Sequence, residues 1–230
     1  MTQPLPLRID IWSDVMCPWC LVGWGNLRQA LDTLLGEIDA TVRWHAFELN
    51  PDMPTAGEER TAHIARKYGR TVDQAKAVQG QMRDAAKTAQ VSLDYEGGEP
   101  APPAMMWNTF DPHKLLHWVG EVHGPERQTE LKLALFEAHF NERQPIGERD
   151  TLLDIAERSG FDRNAASVEL DSEERGKAVR AEERAAWEMN ISGVPAMIVE
   201  DSFLIPGAQG AGTYVDALRR IAIKKREKAA

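Results

Sequence analysis

The sequence predicts an α/β protein carrying a large all-helical insertion, and three observations predict it. The N-terminal stretch holds two β-rich runs around one helical pattern, residues 54–189 are punctuated for helices almost throughout, and the C-terminal stretch returns to β-rich runs before a last helix. The expected order is β-α-β, helical insertion, β-β-α. Residues 1–53 and 190–230 form one core in this reading, and 54–189 the inserted domain.

Leu7 to Trp12 alternates Leu7, Ile9 and Ile11 with Arg8, Asp10 and Trp12, a period of two that fits a strand. Leu21, Trp24, Leu27, Leu31, Leu34 and Leu35 then recur at spacings of three and four and stop at Gly36, which predicts a helix. Thr41 to Leu49, with Val42, Trp44, Ala46 and Phe47, is the second strand. A helix of crossover length between two strands favours a parallel pair.

Five or six helices are expected in the insertion. Their starts are the capping-box form of Thr71-Val72-Asp73-Gln74, Asp111 before Pro112, Gly124 before Pro125, Asp150 before Leu152 and Leu153, and Ser172 before a Glu/Arg/Ala run. Val91 to Met106, with Gly97, Gly98, Pro100, Pro102 and Pro103, is the one long loop, of a length that often serves as a lid or rim. Ala196 to Glu200 and Ser202 to Ile205, separated by Asp201, suit a tight antiparallel hairpin. A helix over Thr213 to Lys225 closes the chain, with Val215, Leu218, Ile221 and Ala222 on one face.

Composition narrows the function. In 230 residues, 43% are hydrophobic and 27% charged, which is wrong for a disordered chain. No apolar run approaches the ~18 residues of a membrane span. The net charge of -9 argues against nucleic-acid and anionic-membrane partners, both of which would be repelled. Met1 to Leu7 has two prolines and none of the basic and apolar regions of a secretory signal, which predicts a cytoplasmic protein. The sequence is compatible with a monomer or a homodimer.

Both cysteines of the chain fall in one tetrapeptide, Cys17-Pro18-Trp19-Cys20. Such a pair at a strand-to-helix junction meets the geometry of a disulfide, and the free N–H groups and dipole of a helix start stabilise a thiolate. Cys17 is the expected exposed nucleophile, and Cys20, one turn deeper, the resolving thiol. Two other readings stand beside this one: a zinc site, for which no second Cys-x-x-Cys is present, and an inert buried pair. A Cys-x-x-Cys near a β-α-β pattern reads as thioredoxin-like.

Ile11-Trp12-Ser13-Asp14-Val15-Met16-Cys17-Pro18-Trp19-Cys20, with Ser192-Gly193-Val194-Pro195-Ala196 and Ile205-Pro206-Gly207-Ala208-Gln209 far downstream, resembles the DsbA superfamily of thioredoxin-fold proteins. The chain is most similar there to the FrnE-like group, which Asn108-Thr109-Phe110 and Leu135-Phe136-Glu137-Ala138-His139-Phe140 also resemble. The resemblance implies a thioredoxin core interrupted by a helical domain and thiol-disulfide oxidoreductase activity on protein or small-molecule disulfides; no bound cofactor or metal is expected. It implies a cis peptide at Val194-Pro195 facing the cysteines, with the Val194 backbone open to an incoming chain. The residues alone favour a trans proline opening an edge strand.

Related kappa-class glutathione transferases and 2-hydroxychromene-2-carboxylate isomerases have serine in place of the first cysteine. Both sulfurs stand here, which favours exchange over isomerisation. The resemblance leaves glutathione open as a co-substrate, with Gly207, Ala208 and Gln209 at the matching place and without the acidic residue often found there. A glutathione-dependent isomerase or transferase of an aromatic or polyketide-like compound and a non-enzymatic holdase are the rival functions.

Pro18, Trp19 and Val194 complete the expected substrate contacts. Asp14 is a candidate modulator of the thiols, against the plainer role of a turn residue. Trp19 carries no positive charge, so a milder oxidant is expected than from a His-bearing motif. His113, His117 and His139 could line a cleft, and Trp44, Phe47, Met105, Met106, Trp107 and Phe110 a substrate wall; surface histidines and core packing are the plainer readings. The basic residues from Arg219 to Lys228 read as a solvated helix end.

Overall fold

The structure, a computed structural model, describes residues 3–69 and 72–229. Strand β1 (Leu5–Ser13) runs parallel to β2 (Ile38–Ala46), in register from Leu5 opposite Ile38 to Ser13 opposite Ala46, and helix α1 (Pro18–Thr33) makes the crossover. Strands β5 (Ala196–Val199) and β6 (Phe203–Pro206) extend the sheet antiparallel, giving the order β2-β1-β5-β6. The two residues that join them, Glu200 and Asp201, both have positive φ (52° and 54°), as the tight hairpin turn demands. This is the expected α/β, thioredoxin-like frame.

The second strand lies three residues earlier than the apolar pattern predicts. Leu34 ends the helix, Gly36 turns the chain with φ +84°, and the Glu37 carbonyl immediately accepts the Leu5 N–H, so pairing starts at Ile38. At its far end the Leu49 N–H is taken by the Asp14 carboxylate, and residues 47–49 leave the sheet.

Leu7, Ile9 and Ile11 bury one face of β1 against Leu27, Ala30 and Leu34 of α1 and against Tyr214 and Leu218 of the last helix, α9 (Ala211–Ala229). Each such side chain withdrawn from water contributes roughly 1.5–3 kcal/mol. The opposite face packs Trp12 on Phe47, Ala186 and Ile191.

Between β2 and β5 lie seven helices among the described residues: α2 (Arg60–Tyr68), α3 (Val72–Thr88), α4 (Phe110–His123), α5 (Pro125–Phe140), α6 (Arg149–Arg158), α7 (Arg163–Asp171) and α8 (Glu173–Glu188). The sequence pattern predicts five or six. It passes over α2, capped by Glu59 on the N–H groups of Thr61 and Ala62, and α7, capped by Asp162 on Ala165 N–H. The capping-box form that begins at Thr71 lies outside the described residues. The long loop spans 89–104 and ends in a two-residue strand, β4 (Met105–Met106), paired with β3 (Glu58–Glu59), so the insertion is helical apart from this ribbon.

The helical core gathers Leu115, Val119, Leu131, Leu135, Leu152 and Ile155, and it takes in Val15 and Met16 from the loop before α1. That loop is thereby sunk between the sheet and the insertion.

Candidate active site

Register brings the distant parts of the site together. Trp12 pairs with Ala196, so Val194 and Pro195, which enter β5, lie beside residues 14–17, which leave β1. Cys17 is the N-cap of α1, with Pro18 in the first turn, and its carbonyl accepts the Cys20 and Leu21 N–H groups. The Cys17 Sγ lies 3.7 Å from the Val194 carbonyl oxygen, and the Val194-Pro195 peptide is cis. The two thiols are free.

Neither cysteine is exposed: Cys17 is 3% accessible and Cys20 1%. This corrects the expectation of an exposed Cys17. Leu21, Phe136 and Phe140 form one buried cluster with the pair, and Leu49, Val91, Leu93 and Val194 pack against that cluster. Of the expected apolar wall, Trp44 belongs to the sheet core, Phe47 to the cluster around Trp12, and Met105, Met106 and Trp107 to the helical core, so core packing describes them.

Three charged or polar side chains meet below the sulfurs. Asp14 is fully buried, and its carboxylate accepts from Met16 N–H at 3.2 Å and Leu49 N–H at 2.7 Å. Burial raises its pKa, against those bonds and the Lys132 charge. Lys132 of α5 is fully buried, donates to the Ser13 carbonyl at 3.3 Å and lies 5.0 Å from the Phe136 ring and 5.4 Å from that of Trp44. Burial pushes its pKa down to about 8, while the charges of Cys20, Asp14 and Cys17 pull it up. His113 of α4 stands 4.0 Å from Asp14, and burial holds its pKa well below the usual value, so it is neutral.

The two thiols, hydrogen-bonded to each other, titrate as a pair. The Cys17 pKa is driven well up by its hydrogen bond to Cys20 and by burial. That of Cys20 is lowered: burial opposes this and is outweighed by the bond from Cys17, the Lys132 charge and the Ser13 hydroxyl. Lys132 thus favours the ionised form of Cys20 over that of Cys17.

The remaining candidates sit at the rim or elsewhere. Trp19 is 38% exposed and Pro18 half-buried at the mouth of α1. Gly207, Ala208 and Gln209 adjoin Pro195, since Gly207 N–H donates to the Pro195 carbonyl at 2.8 Å. The loop is tied down by Asn26 on the Gln209 carbonyl and by the Tyr214 hydroxyl, and the Gln209 amide is already bonded to the Pro206 carbonyl. His117 faces Arg175, and buried His139 packs edge-on to Phe140, its pKa pushed down to about 3 by burial and the Arg60 charge. Arg219 and Lys225 pair with Glu37 and Glu200 on the surface.

Two contributors lie outside the sequence-derived candidates. Lys132 falls on the buried stripe Gln128, Leu131, Lys132, Leu135, Phe136 and His139 of α5, and that helical period is the signal for it. Gly23 gives Pro195 its seat, because a Cβ there would stand 3.0 Å from the proline Cγ and 3.6 Å from Ala208 Cα. Among the described residues no group of three or more His, Cys, Asp or Glu could hold a metal ion, and no helix is long and apolar enough to cross a membrane.

The family described as DSBA-like thioredoxin domain matches residues 8–219. The uncharacterised protein YwbO of Bacillus subtilis is 26% identical over 216 residues, 93% of this chain and 96% of that one. A crystal structure described as a probable DsbA oxidoreductase from Streptomyces coelicolor superposes with a TM-score of 0.82 at 28% identity, over 93% of this chain and 89% of that one. The cytosolic disulfide reductase DsbM of Pseudomonas aeruginosa, also solved with GSH, shares the fold at 18% identity and a TM-score of 0.59, over 97% of this chain and all of that one.

Proposed function

The chain belongs to the DSBA-like thioredoxin family, and from that premise we propose that it is a thiol-disulfide oxidoreductase working through Cys17 and Cys20. At the coarse level the family and its relatives make it an oxidoreductase. The observation that carries the finer reading is one constellation: two free thiols in the first turn of α1, the Val194 carbonyl against one of them, and the buried Lys132 charge beside the other.

In the reductive direction, the proton held between the two sulfurs passes to Cys20 as the Cys17 thiolate attacks one sulfur of a substrate disulfide, and Cys20 then gives that proton to the departing substrate sulfur. The Cys17–substrate bond forms as the substrate S–S bond breaks, and the other substrate sulfur leaves as a thiolate. Cys20, deprotonated beside Lys132, then attacks Cys17 Sγ. A Cys17–Cys20 disulfide forms and the second substrate thiol is released, two electrons having passed to the substrate. A small thiol of the glutathione class restores the dithiol by the reverse exchange, as the GSH-bound relative suggests. Cys17 makes the first attack because it caps α1 against the Val194 backbone, where an incoming chain can lie, whereas Cys20 lies one turn inside. A cytoplasmic setting, like that of the cytosolic DsbM, keeps such a pair reduced between turnovers.

Turnover of a small disulfide tests the proposal. Cys17→Ser abolishes it, and Cys20→Ser accumulates a mixed disulfide visible as added mass. Undiminished turnover in Cys17→Ser overturns it. Activity that requires glutathione and survives loss of Cys20 marks a glutathione-dependent isomerase or transferase instead.

A further inference from the structure

Both cysteines are buried, and one of the segments packed on the cluster that holds them lies outside the thioredoxin core. After α3 the chain runs through residues 89–96 with Val91, Leu93 and Tyr95 turned inward and Ser92, Asp94 and Glu96 outward. That is the alternation of a strand, in a segment that pairs with no strand among the described residues. Val91 and Leu93 lie on the cluster that holds Cys17 and Cys20.

The segment is anchored at both ends. At its start Gln29 and Arg28 of α1 donate to the carbonyls of Thr88 and Gln90. Ala89 seats directly on α1 at Gly25, where a Cβ would come within 2.3 Å of the Ala89 carbonyl oxygen. At its far end Asn141, just past α5, donates through its side-chain amide to the carbonyls of Asp94 at 2.8 Å and Ser92 at 3.4 Å, and its own carbonyl accepts Glu96 N–H at 2.8 Å. Side chains thus supply the partners that a neighbouring strand would otherwise give. Tyr95 is held further by Arg143, 5.0 Å over its ring.

We propose that residues 89–96 are a strap that closes the thiol chamber and sets its substrate class: a small thiol or disulfide enters, and a disulfide fixed in a folded protein surface does not. Gly25 and Asn141 are its positioning residues. The proposal rests on the redox reading of the cysteines and deepens it. A nucleophile must reach the disulfide sulfur in line, and with the strap seated Val91 and Leu93 pack on the cluster that holds both thiols and narrow the approach to them.

The test is the accessibility of the thiols in the reduced full chain, measured with iodoacetamide and with a maleimide carrying a large polymer, each rate normalised to that of a free thiol. In the wild type the polymer reagent is strongly disfavoured. Asn141→Ala, which removes the side-chain hydrogen bonds to Ser92, Asp94 and Glu96 of the strap, raises the polymer rate about tenfold and the iodoacetamide rate by much less. Gly25→Ala, which lifts the strap base, and Leu93→Ala, which shortens an inward side chain without touching either anchor, move the ratio the same way. Circular dichroism selects the variants that are folded. The proposal is overturned if the polymer reagent reacts with the wild type as readily as iodoacetamide does, or if the folded variants leave the ratio unchanged. Alkylation needs no turnover, so a wild type that fails to reduce a small disulfide sinks the redox reading and leaves the strap to be judged on the ratio.

Discussion

Lys132 donates to the carbonyl oxygen of Ser13 at 3.3 Å, and this bond, from the inserted domain to the end of β1, fixes a buried ammonium beside the thiol pair. Opposite charge in a dry site favours the ionised thiol, and Lys132 supplies it without touching the sulfur as a base would. Lys132→Met keeps the volume and removes the charge. Alkylation by a small reagent near pH 7 should then slow by about tenfold, as the first thiol pKa rises by about one. A midpoint of the alkylation pH profile that stays in place would show that Lys132 does not hold the thiolate. Stability need not fall, because replacing a buried charge by a packed apolar chain is often neutral.

Asp14 works against Lys132. Its charge raises the Cys17 pKa, while its two oxygens accept the N–H groups of Met16 and Leu49. Asp14→Asn removes the charge and turns one acceptor into a donor facing an N–H. The alkylation midpoint should therefore move down, opposite to Lys132→Met, and urea unfolding should show a loss of about 1–3 kcal/mol from the unmet buried N–H. Midpoints of the two variants that shift in the same direction would contradict the opposed roles.

Gly23 tests the seat of Pro195. Alanine in a helix interior gains up to about 1 kcal/mol over glycine, whereas here its Cβ would stand 3.0 Å from the Pro195 Cγ. These effects offset one another in stability and do not offset in position. Gly23→Ala should keep its unfolding free energy within about 1 kcal/mol of the wild type, yet lose about tenfold or more in turnover of a small disulfide as Pro195 and Val194 move from Cys17. Unchanged turnover would mean that the placement of Pro195 is not critical.

The frame of the molecule is legible in the sequence because its signals are local. The alternation of β1, the Gly36 stop, the hairpin at Glu200-Asp201 and the Cys-Pro-Trp-Cys turn each declare themselves within a few residues. The chamber is less legible because it is assembled from elements far apart in the chain. A lysine between Leu131 and Leu133 suggests solvent until it is placed on the stripe that also holds Gln128 and Leu135. Val91, Leu93 and Tyr95 carry a strand-like alternation, but no strand partner is found nearby, so they merge with the glycines and prolines that follow. The burial of Cys17 escapes notice for the same reason, since nothing near the motif announces that Phe140 will join its cluster and Leu93 pack against it.

His45 ties the sheet to the insertion and gives the fold a pH dependence of definite sign. Its Nε2 lies 2.8 Å from Asp10 of β1 and its Nδ1 2.9 Å from Glu182 of α8, while Trp12 stacks on its ring at 4.5 Å. Arg8 also binds Asp10, and the other Glu182 oxygen accepts Ala46 N–H. Burial alone would lower the His45 pKa, but the bonds and charges of the two carboxylates outweigh it and raise it to about 9. In the unfolded chain the value is about 6.5. The folded state therefore binds this proton more tightly: the stabilisation is full below about pH 6.5 and is lost as the pH rises through about 9. Its size should be on the order of 2 kcal/mol, since a tenfold gain in proton affinity is worth about 1.4 kcal/mol and the partly accessible ring realises less than the full difference. Urea unfolding of the wild type and of His45→Gln at pH 6 and pH 9.5 checks this, because titrations common to both proteins cancel in the difference. The wild-type advantage should shrink by that amount at the higher pH, and an advantage that is flat across the interval would mean that the bridge to Asp10 and Glu182 is not cationic.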